Sequence, residues 1–175
     1  MTMASSLYWH AASTDGRLGT MARPRGGDWL TDEVRQLGEQ GVAVLVSCLT
    51  PAEIEELDLG GERQACQRFG IAFLSFPVPD RGVPGSMRQA YDVARTILDG
   101  LESGRNTVIH CRAGIGRASM LAAATLVLSG VSPAAALIRI AESRGRPVPD
   151  TAEQAIWVGD FAGWWALGAL RHCVG

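Results

Sequence analysis

Lysine is absent from this 175-residue chain, and all 16 basic residues are arginine. That excludes lysine Schiff bases, catalytic lysines and the lysine-bearing phosphate loop of nucleotide-binding proteins. Histidine is nearly as scarce: His10, His110 and His172 lie far apart, which argues against a histidine-rich metal site. Cysteine occurs only as the isolated Cys48, Cys66, Cys111 and Cys173, without CxxC pairs or the pattern of a secreted disulfide framework, so reduced cytosolic thiols are expected. Net charge is small, −2, and no block of like charge offers a nucleic-acid surface or a polybasic membrane patch. Long hydrophobic runs are missing too: Ala155 to Leu170 is short for a bilayer and contains Asp160. Met1–Ser6 lacks the charged and apolar regions of a signal peptide. The expectation is a soluble cytoplasmic protein without membrane or nucleic-acid partners. With no repeat, low-complexity stretch or linker, residues 1–175 read as one domain, and 47% hydrophobic content is enough for its core.

What is present is an alternation of strands and helices. Short opening strands are expected around Leu7–Ala11 and Arg17–Met21, separated by the turn-like Asp15-Gly16. Leu30, Val34 and Leu37 share one face of a helix that Gly41 ends, and Val42–Val46 reads as a buried strand. Thr50-Pro51-Ala52-Glu53 is a capping box with proline at the first helical position. A helix near residues 62–69 and a strand over Ile71–Phe76 lead into a Pro- and Gly-rich loop, 77–85, closed by a second capping pair, Ser86 and Gln89. Ala90, Val93, Ala94, Ile97 and Leu101 fall at helical spacing, and Thr107–His110 reads as a strand. Helices follow near 116–129, 133–143 and 151–170, the last opened by Asp150 and Glu153. The fold class is α/β, a mostly parallel central sheet flanked by helices. In such sheets ligands bind beyond the carboxyl ends of the strands, where Cys111 and the loop after Phe76 emerge.

One run carries most of the chemistry. In His110-Cys111-Arg112-Ala113-Gly114-Ile115-Gly116-Arg117 a cysteine ends a strand, an arginine follows six residues later, and an alanine-rich helix begins. Small residues let the N–H groups of such a loop turn inward onto a tetrahedral oxyanion, and a helix N-terminus adds favourable partial charge. Residues 112–117 are the candidate phosphate cradle, with Arg117 as a two-pronged clamp. Cys111, at its floor, is expected to react as the thiolate, because helix N-termini and cations favour that form. The chemistry indicated is attack on phosphorus.

His-Cys-x-x-Gly-x-Gly-Arg is the signature of the cysteine-dependent protein tyrosine phosphatases, and residues 110–117 match every fixed position. The chain resembles the small dual-specificity branch, whose general-acid loop Phe76–Pro84 is similar to, and within it the cyclin-dependent kinase-associated phosphatases and their bacterial relatives. The resemblance implies a phosphatase-type three-layer sandwich and a phosphomonoester hydrolase working through a phosphocysteine, with no metal or organic cofactor. Its partners are then phosphorylated proteins or small phosphomonoesters.

Asp80, 31 residues before Cys111, stands where the branch carries its general acid, which protonates the leaving oxygen. Taken alone it is also ordinary turn chemistry. The resemblance gives His110 a loop-shaping role beside the alternative of a core histidine. It gives Gln154 a water-positioning role beside that of a solvated helix residue, and makes Cys48 a redox partner of Cys111 beside that of a buried thiol. Arg144 and Arg146 either steer substrate or face solvent, and solvent is the expectation. One departure stands out: the family carries a hydroxyl directly after its signature arginine, and this chain has Ala118. Slower hydrolysis of the phosphocysteine is expected from it. Ile115 occupies a position that is basic in the phosphoinositide phosphatases, which disfavours inositol lipids.

Three other readings compete. A rhodanese-like sulfurtransferase also opens its loop with Cys-Arg-Ala-Gly, but that loop is typically shorter and needs no Asp80. A catalytically weak phosphoprotein-binding module would explain Ala118 but not the retention of Cys111, Arg117 and Asp80 together. A dinucleotide site on Gly114-Ile115-Gly116 fails, because no acidic residue follows about twenty positions later.

Overall fold

A computed structural model of the chain describes residues 5–10 and 12–172. Residues 1–4, Ala11 and Cys173 lie outside them, and with them the end of the first expected strand and most of the N-terminal segment considered above. Among the described residues five strands, β1 (Tyr8–His10), β2 (Leu18–Ala22), β3 (Val44–Ser47), β4 (Ala72–Ser75) and β5 (Thr107–Cys111), form one sheet in the order β1-β2-β5-β3-β4. Only β1 runs antiparallel to its neighbour.

Side-chain alternation divides the core into two layers. Ile109 and Cys111 of β5 face one side with Val44, Val46 and Cys48. There they meet α4 (Met87–Glu102), α5 (Arg117–Leu128), α6 (Pro133–Arg144) and α7 (Ala152–His172). Val108 and Leu45 face the other side, packed under α1 (Leu30–Glu39) and α3 (Glu62–Arg68). The expected three-layer architecture is therefore observed. Helix α5 is buried all round from Arg117 to Val127, as an evenly apolar helix must be. No helix of the described residues is long and apolar enough to cross a membrane.

Local chemistry sets the element ends. Gly41, at φ +83°, closes α1: its N–H donates to Gly38 O (2.9 Å) and that of Val42 to Leu37 O (3.0 Å). These are the two bonds of a Schellman motif. Because Val42 completes that motif, β3 starts at Val44, two residues later than expected. The capping box at Thr50 and Glu53 opens α2 (Pro51–Glu56) as expected. The start of α7 differs: Thr151, not Asp150, is the cap, its hydroxyl accepting from Gln154 N–H at 3.1 Å. Gln154 Oε1 accepts in return from Thr151 N–H at 3.2 Å, so the pair forms the box that Asp150 and Glu153 were expected to make.

Candidate active site

The parallel strands end together, so everything that follows β3, β4 or β5 meets at one edge of the sheet. Cys111 is the last residue of β5 and is 3% exposed. The turn after it is fixed by its scaffold. Arg23 N–H donates to Arg112 O (3.3 Å) and Arg144 Nη2 to Ala113 O (3.2 Å), which turns both carbonyls away from the loop centre. Gly114 sits at φ +69°, and a Cβ there would lie 2.2 Å from Met21 O, so only glycine fits. Gly116 caps α5, whose first turn carries Arg117.

Arg117 is 2% exposed, and its guanidinium is almost fully engaged. Nη1 donates to Glu53 Oε2 at 2.7 Å and Nη2 to Glu53 Oε1 at 2.9 Å, a fork-on-fork pair. Nη1 also reaches Val78 O at 2.9 Å, and Nη2 reaches Asp80 Oδ1 at 3.0 Å. The Arg117 guanidinium is the main reason the Glu53 carboxyl is held down at about 2. Arg112 turns outward to α2, pairing with Glu56 (2.8 Å) and Glu53 (3.3 Å).

A pocket of about 220 Å³ brings Cys111, Arg117, Asp80, Gly116, Asp150 and Gln154 together. Arg112 and Ala113 line it as well. A larger hollow of about 660 Å³ between α1 and α3 is lined by Gly27, Leu30, Asp58 and Arg68, and none of its lining residues is a cysteine. The smaller pocket is the one with chemistry. It gathers Cys111, Arg117 and Asp80, which the sequence singles out as candidate nucleophile, clamp and acid, with Gln154.

His110 goes elsewhere. Alternation along β5 sends its imidazole to the opposite sheet face, where it is fully buried with Nε2 2.8 Å from Glu62 Oε1 of α3. That distance suits an ion pair, but the angles fall outside hydrogen-bond geometry, and neither ring nitrogen bonds the signature loop. Its link to the loop is covalent, and its carbonyl accepts from Cys48 N–H, just beyond β3, at 2.9 Å.

Sequence reading missed Glu53 as the partner of Arg117 and Glu62 as the neighbour of His110, and expected Arg144 to face solvent. Arg144 instead lies over the Tyr8 ring at 3.9 Å and binds the signature loop. Glu53 carried a signal: an acid in the first turn of a helix that follows a strand neighbouring β5 emerges over the same sheet edge.

Comparison with known proteins agrees with this geometry. The family model described as "Polymorphic toxin system, DSP-PTPase phosphatase" matches residues 19–131. Mouse cyclin-dependent kinase inhibitor 3 is 28% identical over 132 residues, which are 75% of this chain and 61% of that protein. The chain thus spans about three-fifths of the length of that relative. A kinase-associated phosphatase crystallised with serine replacing its catalytic cysteine has the same fold, at a TM-score of 0.84 and 20% identity over 95% of this chain and 98% of that one. PTPMT1 superposes with a TM-score of 0.74 at 20% identity, over 94% and 99% of the two chains. The family match covers well over half of the chain, and with the fold it makes this protein a member of the DSP-PTPase phosphatases.

Proposed function

We propose that the chain hydrolyses phosphomonoesters through a phosphocysteine, with Cys111 as nucleophile, Arg117 as phosphate clamp and Asp80 as general acid and base. The observation that carries this reading is the meeting of those three side chains in one pocket of about 220 Å³ at the carboxyl edge of the sheet. Cys111 Sγ attacks phosphorus, the P–O bond of the ester breaks, and the departing oxygen takes the Asp80 proton. Water then attacks the phosphocysteine, giving its proton to the Asp80 carboxylate, and the S–P bond breaks to release inorganic phosphate.

Glu53 fixes the plane of the guanidinium. A phosphate oxygen at Arg117 Nη2 takes the place of Asp80 Oδ1, releasing the half-exposed acid toward the ester oxygen. The carbonyls of Arg112 and Ala113 are bound by the scaffold, which supports a cradle of loop N–H groups at residues 112–117. His110 supports this chemistry from behind the strand, without touching the anion. The pocket is smaller than a typical site for a drug-sized ligand, which suits a phosphate and the first atoms of its ester. That favours phosphotyrosine together with phosphoserine or phosphothreonine on a protein substrate, acted on by residues 1–175 as one catalytic domain. Cys48, Cys66 and Cys111 are unpaired, which supports a cytoplasmic setting.

A second reading, phosphoprotein binding with little turnover, is favoured by one observation: the residue after Arg117 is a fully buried alanine, Ala118. Hydrolysis of p-nitrophenyl phosphate without added metal, by wild type and Cys111→Ser, tests both. Turnover in the wild type that is lost in the variant upholds the hydrolase. No turnover, with phosphopeptide still retained, transfers the case to the binding module, and persulfide formation from thiosulfate would transfer it to a sulfurtransferase.

A further inference from the structure

The turn that carries Asp80 is not self-supporting. Gly82 N–H donates to Pro79 O at 2.9 Å, closing a four-residue turn with Asp80 and Arg81 at its centre. Arg81 sits at φ +57°, a left-handed conformation that is costly for a residue with a Cβ. Contacts from outside must hold it. Two are ion pairs with exposed groups: Arg117 to Asp80 at 3.0 Å, and Arg81 to Asp150 at 3.1 Å. The third comes from Gln154, which is 0% exposed and donates from Nε2 to Gly82 O at 3.0 Å.

Gln154 is rooted at its other end. Oε1 accepts from Asp150 N–H (3.1 Å) and Thr151 N–H (3.2 Å) at the start of α7. The same side chain lies against the signature loop, where a Cβ on Gly116 would stand 2.8 Å from Oε1. One buried amide therefore touches the phosphate loop and the acid turn at once. With Oε1 doubly used, only one N–H of the side chain is left for a water.

We infer that Gln154 is a positioning residue that holds the Asp80 turn at a set distance from the signature loop, and so governs proton delivery to the leaving oxygen. This rests on the reading of Asp80 as general acid. Each ion pair has at least one exposed partner that water can serve in its place, whereas the fully buried Gln154 amide is costly to leave unpaired, so Gln154 dominates the tether. Small displacements of a reacting group cost rate steeply.

Gln154→Glu isolates the contact. It keeps an oxygen to accept from Asp150 and Thr151 but sets a second oxygen against the Gly82 carbonyl in place of the donor. Two esters read the outcome: p-nitrophenyl phosphate, whose phenolate leaves with little help, and phenyl phosphate, whose phenolate needs the proton. The expected result is a fall in kcat/KM for phenyl phosphate about tenfold larger than for p-nitrophenyl phosphate. Vanadate inhibition of Gln154→Met, which adds no charge to the anion pocket, should stay within about twofold, because the cradle and Arg117 are unaltered. Equal falls for both esters, or no fall, overturn the inference. Should Gln154→Glu fail to fold, Gln154→Met, of similar length and without the donor, carries the same expectation. If wild type turns over neither ester, the phosphatase reading fails, and amide hydrogen exchange over residues 80–85 then judges the tether. Faster exchange in Gln154→Glu than in wild type upholds it, and unchanged exchange overturns it.

Discussion

Glu53 is a carboxylate at 8% side-chain exposure held by two guanidinium groups, those of Arg117 and Arg112. Removing one partner of a buried pair leaves the other charge stranded. Glu53→Gln should therefore cost about 3 kcal/mol in urea unfolding at neutral pH, and should weaken vanadate inhibition as Arg117 loses its fixed plane. Because the folded state holds this carboxyl at about 2, below its ordinary 4.5, the stabilisation is full above pH 4.5 and disappears as pH falls toward 2. The stability difference between wild type and Glu53→Gln should shrink over that window, and a difference independent of pH would refute the pairing. Ala118 gives a second test at this scale. If the missing hydroxyl slows breakdown of the phosphocysteine, Ala118→Ser raises the steady-state rate more than the burst of p-nitrophenol. An unchanged burst and an unchanged steady state would end that idea. Cys111, Arg117 and Gly114 were legible because their roles are written within eight consecutive residues. Glu53 was not, because its bond to Arg117 spans 64 residues and only the sheet order brings β3 beside β5.

Among the elements, the paired ends of β3 and β5 do the most. Ser47 is in register with His110, and Cys48 N–H bonds His110 O, so Cys48 falls opposite Cys111 at the strand tips. Both side chains face the same core layer. Neighbouring strands run about 4.8 Å apart, which lies inside the Cα separation that a disulfide tolerates. Burial, then the nearby Cys111, pushes the Cys48 thiol well above its ordinary value, so Cys48 is inert until its neighbour is oxidised. If Cys48 is the redox partner of Cys111, peroxide should oxidise Cys111 to a sulfenic acid, and condensation with the Cys48 thiol should form the S–S bond and release water. Mild peroxide should give a linked Cys48–Cys111 peptide and activity that dithiothreitol restores. Cys48→Ser should instead go on to the sulfinic acid without recovery, and absence of the linked peptide in the wild type would defeat the pairing. The strand order behind this pairing could be anticipated from alternation of elements, but element ends could not always be. Thr151 displaces Asp150 as the cap of α7 because the Gln154 side chain answers it, and Val42 leaves the strand because Leu37 O takes its N–H.

Across the whole molecule, His10 joins the antiparallel edge of the sheet to the helix layer. Its Nδ1 lies 2.6 Å from Ser143 Oγ on α6, and its Nε2 lies 3.0 Å from Thr20 Oγ1 on β2. Ser143 Oγ donates to Arg139 O at 2.8 Å, which assigns the donor role to His10 Nδ1 and leaves Nε2 to accept from Thr20. The next residue, Arg144, carries this junction on to the signature loop through Ala113 O. Burial, reinforced by Arg144, lowers the His10 imidazole from 6.5 to about 4, so it is neutral in the folded protein. An unfolded chain binds the proton first. Stability is therefore complete above pH 6.5 and declines as pH falls toward 4, by on the order of 3 kcal/mol. Glu53 contributes to acid loss only below pH 4.5, so the interval from 6.5 to 4.5 belongs to the histidine junction. Urea unfolding followed by tryptophan fluorescence should show wild-type stability flat from about pH 8 to 6.5 and falling beneath it. His10→Gln should begin lower at pH 7 and lose that slope. A slope that survives in His10→Gln would place the acid sensitivity in another group and leave the junction as packing alone.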